Sequence, residues 1–94
     1  MTAQIDVDSQ GDHAYSVTVT DNHHVTQHEV VVPPGLLEQL SLGADDEERL
    51  VRKSFEFLLE RETSTSILSR FKLDVIGHYF PDYVKIVGRR LAAG

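Results

Sequence analysis

The sequence predicts an α+β fold in which an N-terminal three-stranded antiparallel meander packs on a C-terminal set of three to four helices. Residue types are sorted along the chain. Seven of the eleven valines and four of the six threonines lie in residues 1–32, whereas all ten leucines and all four phenylalanines follow. β-branched side chains fit a pleated, half-buried surface, while leucine loses little rotamer freedom in a helix. The apolar pattern also alternates in the first third and recurs at helical spacing afterwards. Strands followed by helices describe an α+β chain, not a βαβ alternation. A single domain is expected, with a β-meander over residues 1–32 and a helical portion over 33–94.

The first strand is placed at residues 3–8, where Ile5-Asp6-Val7-Asp8 alternates apolar and acidic. Ser9-Gln10-Gly11-Asp12 reads as a turn. A second strand over 13–20 sets Tyr15, Val17 and Val19 on one face and hydroxyls on the other. Asp21-Asn22 is the next turn signal, because both residues tolerate left-handed backbone. A third strand over 24–32 loses its alternation at Val30-Val31-Val32. A two-residue turn would set Val19 opposite His24. A three-residue turn, or a bulge, would set it opposite Val25 and keep the apolar face continuous, so the latter register is expected.

Pro33-Pro34-Gly35 ends the sheet, since proline supplies no ladder donor. A short helical segment is expected over 36–40, stopping near Gly43. The strongest helix spans 45–62. Asp45-Asp46-Glu47-Glu48 opens it with charges that complement the helix dipole and cap free N–H groups. Val51, Phe55, Leu58 and Leu59 recur at helical spacing, with Arg49, Arg52 and Lys53 opposite and Glu48–Arg52 at i,i+4. The hydroxyl cluster Thr63-Ser64-Thr65-Ser66 breaks the helix and caps a short one over 65–71 with Ile67, Leu68 and Phe71 inward. Asp74 is placed to cap another over 74–80, which Pro81 ends. The last helix, 82–91, turns Tyr83, Val84 and Val87 inward and carries Lys85, Arg89 and Arg90 near its C-terminus.

Ser54-Phe55-Glu56-Phe57-Leu58-Leu59-Glu60-Arg61-Glu62, Ser66-Ile67-Leu68, Phe71, Leu73, Val75-Ile76 and Tyr79-Phe80-Pro81-Asp82-Tyr83 form a pattern over about half of the chain. It resembles a group of small bacterial proteins of unassigned function. The resemblance implies a bacterial, cytoplasmic protein and brings no catalytic residue and no ligand.

Composition narrows the chemistry. The 94 residues include 29 of Val, Ile, Leu or Phe, enough for one core. With no cysteine there is no disulfide, thiol nucleophile or cysteine-ligated metal. No apolar run approaches the ~20 residues of a membrane span. The first residues, Met1-Thr2-Ala3-Gln4, lack the basic start and apolar stretch of a signal peptide, so a cytoplasmic location away from membranes is expected. The net charge of −6 argues against a chain that coats nucleic acid as a whole.

Four histidines, His13, His23, His24 and His28, lie close in sequence, but His23 and His24 face opposite sides of an extended strand. His24 and His28 share a side, separated by about 13 Å at strand rise. Solvated turn and edge histidines are therefore expected, with no metal site. Asp74 and His78 stand at i,i+4 with Ser69 and Tyr79 nearby, a spacing common by chance. Residues 45–48 and Glu60-Arg61-Glu62 offer carboxylates without the oxygen spacing of a calcium loop. No catalytic, cofactor or metal residue is assigned.

Charge is distributed unevenly, with net −9 over residues 1–50 and +3 over 51–94. The expectation is a small non-catalytic interaction or regulatory module, self-associating as a homodimer or taking a protein partner. The interface candidates are Val30, Val31 and Val32, on an exposed sheet edge, and Tyr83, Lys85, Arg89 and Arg90 on the last helix. The alternative is a nucleic-acid-binding regulator that uses Lys72, Lys85, Arg89 and Arg90 on phosphates, with helices 65–71 and 74–80 at helix-turn-helix spacing.

Overall fold

The computed structural model describes residues 3–21 and 24–93. β1 (Gln4–Gly11), β2 (Ala14–Asp21) and β3 (His24–Val31) form the expected antiparallel meander. A fourth strand, β4 (Arg70–Lys72), adds parallel to β3, so the sheet order is β1-β2-β3-β4. The helices are α1 (Pro34–Gln39), α2 (Glu47–Leu59), α3 (Val75–Tyr79) and α4 (Tyr83–Ala93).

The first hairpin runs further than its turn residues suggest. Asp12 and His13 close it, with φ of 51° and 65°. Positive φ at both central residues gives a turn whose twist matches the strands it joins. Gly11, at φ 84°, takes up a register slip between Ser9 and Gly11. The second hairpin adopts neither expected register. Asp21 pairs with His24, and Val19 meets Thr26 instead of Val25. The expected turn residue Asn22, with His23, lies outside the described residues.

The three valines explain that register. Val30 and Val32 point into the core, at 1% and 0% exposure, and Val31 points out. Side chains alternate strictly, so this choice fixes the whole strand. Thr26 and His28 then share the core face with Tyr15, Val17 and Val19, and Val25 is turned to solvent.

Residues 65–71 do not form the expected helix. A 3-10 turn over Ser64–Ser66 leads into extended chain and then β4. The physical reason lies on β3, whose meander edge would leave ladder donors open. The Glu29 N–H donates to Ser69 O at 2.7 Å, and the Leu73 N–H donates to Val31 O at 2.9 Å. Satisfying both strands' backbone outweighs a short helix with a poor apolar face.

Helix α2 lies within the expected 45–62 and is buried on two flanks. Phe55 meets His28 and Phe71 beneath the sheet, with ring centroids at 5.3 and 6.0 Å. Phe57 meets Tyr83 of α4 at 5.4 Å. The Tyr83 hydroxyl lies 2.6 Å from Ser54 Oγ, which also reaches Leu50 O at 2.7 Å. Among the described residues no ion pair joins Glu48 to Arg52, because Arg52 turns to the β1 backbone and donates to Ile5 O.

Phe55 is fully buried at the junction of β3, β4 and α2. Phe55→Ala is expected to cost about 3–5 kcal/mol, read as a lowered midpoint in urea denaturation. A loss near zero would contradict this packing.

Candidate functional site

The site is assembled from the short elements after α2. Phe71 of β4, Leu68 before it, Val75, Ile76 and Tyr79 of α3, and Phe80 line a mainly apolar groove of about 260 Å³, whose wall also includes Glu62. This is smaller than the roughly 300–1,000 Å³ usual for small-molecule sites. It has room for one or two apolar side chains. Leu68 and Tyr79 flank it at 51% and 69% exposure, large apolar surfaces left in water beside a concave floor.

The outer edge of β4 borders this groove. The two bonds that join residues 69 and 73 to β3 place the backbone groups of alternate residues, 69, 71 and 73, on the β3 side. Arg70 and Lys72 therefore direct their own amides and carbonyls away from β3, along an edge that no strand covers among the described residues. Phe71 is half-buried and faces the groove, while Arg70 and Lys72 are exposed on the other face of the sheet. Arg70 directs Nε and Nη2 to Glu29 Oε2, at 2.9 and 2.8 Å. The opposite edge of the sheet is guarded. Arg52 occupies the Ile5 carbonyl, and β1 itself carries exposed Asp6 and Asp8.

His28 positions this region. The expected solvated edge histidine is instead 2% exposed, because the register of β3 carries it inward. Its Nδ1 donates to Leu68 O at 2.7 Å, since a carbonyl can only accept. Its Nε2 lies 2.9 Å from Thr26 Oγ1. The ring therefore ties the chain entering β4 to β3.

A second polar cluster lies at the first hairpin. Glu47, one of the four acids that open the main helix, is buried at 3% exposure. Its Oε1 accepts from the Tyr15 hydroxyl at 2.9 Å, and its Oε2 lies 2.5 Å from His13 Nδ1. Burial, then the hydrogen bond to Glu47 and its negative charge, push the Tyr15 phenol up to about 12. The His13 ring is half-exposed. A carboxylate against an imidazole orients the ring, but neither His13 nor Glu47 lines the groove.

The remaining sequence candidates are dispersed. His13, His24 and His28 occupy a hairpin turn, an exposed strand end and the core. Asp74 stands at the N-cap position of α3 without a side-chain cap bond, and no bond joins it to His78 or Ser69 among the described residues. Val30 and Val32 are buried, and β4 covers their stretch of edge, leaving Val31 on the outer face. Tyr83 is completely buried because its ring packs on Phe57, which removes it from the candidate contact surface. Lys85 and Arg89 are exposed on α4. Arg90 makes a two-pronged bond to Glu60, at 2.7 Å for each contact, and its guanidinium holds the Glu60 carboxyl below its usual range. The helix-turn-helix expectation is overturned as well, because β4 stands where its first helix was placed.

Compared with protein-family models, with curated proteins and with solved structures, the chain matches none.

Two outcomes follow from these contacts. Because the Tyr15 phenol is raised from 10.0 to about 12, its neutral form favours the folded state. That contribution is complete below pH 10.0 and disappears as pH rises through about 12. Tyr15→Phe is expected to remove a tyrosinate absorbance step near 12; a step that persists unchanged would contradict the raised Tyr15 phenol. His28→Leu, which strands the Leu68 carbonyl, is expected to cost about 1–3 kcal/mol. Hydrogen exchange at the Glu29 amide should accelerate with it.

Proposed function

We propose that the chain is a non-catalytic protein-interaction module that receives an extended segment of another protein along β4. One observation carries the reading: an open strand edge runs beside an apolar groove with Leu68 and Tyr79 exposed at its rim. Strand addition draws affinity from main-chain hydrogen bonds and specificity from pockets that take alternate side chains. The backbone groups of Arg70 and Lys72 supply the first element, and the groove supplies the second. The two edges also differ in the charge they present: β1 carries Asp6 and Asp8 with the Ile5 carbonyl taken by Arg52, whereas β4 carries Arg70 and Lys72, basic side chains that discourage pairing with any strand that does not offset them.

Self-association through Val30, Val31 and Val32 has less support, because β4 already occupies that edge and two of the valines are internal. Phosphate binding also has less support. Arg90 is engaged by Glu60, and the remaining candidates are divided between two elements, Lys72 on β4 and Lys85 and Arg89 on α4.

Selection of short random peptides against the immobilised protein, followed by amide-shift mapping of the enriched sequences, tests the reading. Enriched peptides are expected to shift Ser69, Arg70, Phe71 and Lys72, and Leu68→Asp should weaken them at least about tenfold. Enrichment that maps to the outer face of α4, or no enrichment at all, would overturn it.

A further inference from the structure

An added strand has period two, and the two faces it meets at β4 differ in kind. On the core side it adjoins Phe71 between Leu68 and Tyr79, a surface that rewards apolar side chains. On the other side it adjoins Arg70 and Lys72, both exposed. Lys72 has no ion-pair partner among the described residues, and Arg70 spends only Nε and Nη2 on a single oxygen of Glu29. The local balance of Glu29, Arg70 and Lys72 is one positive charge.

We infer that the segment accepted by β4 alternates apolar with acidic residues, the apolar ones entering the groove and the carboxylates lying beside Lys72 and Arg70. This inference rests on the reading of the chain as a strand-accepting module and specifies the chemistry of its partner. Opposite charges on neighbouring strands stabilise a pair, and like charges directly opposite destabilise it.

The same rule argues against a second copy as the occupant. Two-fold pairing of β4 with β4 would bring Arg70 and Lys72 of one copy against those of the other. The Ile5-Asp6-Val7-Asp8 stretch has the favoured alternation, but Ile5 is buried in its own core and its carbonyl is taken by Arg52. A separate protein with a free extended segment meets the requirement.

The test uses fluorescence anisotropy with two labelled probes on the full chain. One is a short peptide alternating Val or Phe with Asp; the other carries Lys at every Asp position. The acidic probe is expected to bind at least about tenfold more tightly at low salt, with the gap narrowing as salt screens exposed charges. Lys72→Glu alone, which spares the Glu29–Arg70 pair, should shrink the gap, and Arg70→Glu with Lys72→Glu should invert it. Unchanged circular dichroism confirms that these surface variants fold. Equal binding of the two probes, preference for the lysine probe, or a gap indifferent to the Lys72→Glu change would overturn the inference. If library-selected peptides shift the β4 amides while neither alternating probe binds, the charge rule falls and the module reading stands. If no peptide of any class shifts those amides, both fall.

Discussion

Burial of His28 on the core face of β3 is the constraint from which the rest of the described architecture follows. An imidazole in an apolar core needs partners for its ring nitrogens, because an unsatisfied buried polar group is costly. One partner, Thr26, lies on the same strand, and the other, Leu68 O, lies forty residues further along the chain. That second bond brings the segment after α2 to the edge of β3. The backbone bonds of Glu29 and Val31 then hold β4 in parallel register. Phe55 packs on the same ring, so the position of the central helix is coupled to the choice.

The same economy recurs elsewhere in the core. Glu47 is joined to Tyr15 and His13, and Ser54 to Tyr83, each linking a helix to a partner distant in sequence. Among the described residues, no buried side-chain nitrogen or oxygen lacks a hydrogen-bond partner. Polar groups placed this way discriminate between packings more sharply than apolar contacts, since a slipped arrangement would leave them unpaired. The small core therefore has polar contacts at the hairpin end, under β3 and between α2 and α4.

The uneven charge along the chain has a structural use beyond recognition. Arg52 reaches back to β1, Arg70 to Glu29 on β3, and Arg90 on α4 to Glu60 just after α2. Arg61 lies over the Phe57 ring at 3.7 Å, which shields that aromatic from solvent. Several bases of the second half are thus engaged by the chain itself. Exposed pairs contribute little individually, about 0–1 kcal/mol, and among the described residues they leave Lys72 without an ion-pair partner beside the β4 edge.

The amino-acid sequence by itself determined the α+β class, the three-stranded meander, the main helix and the inward residues Phe55 and Leu58. These are local matters, written in alternation, helical spacing and turn chemistry. It also marked Val30, Val31 and Val32 as unable to share one face. It did not contain β4 in readable form, because Arg70-Phe71-Lys72 is too short to show a period and takes its strand geometry from a distant neighbour. Nor did it show that His28 and Glu47 are internal, since both residue types are ordinarily solvated. One is carried inward by the parity of β3 and the other by Tyr15 and His13 across the hairpin. The groove and its open edge were therefore decided by the tertiary structure alone, because they arise where backbone groups far apart in sequence satisfy one another.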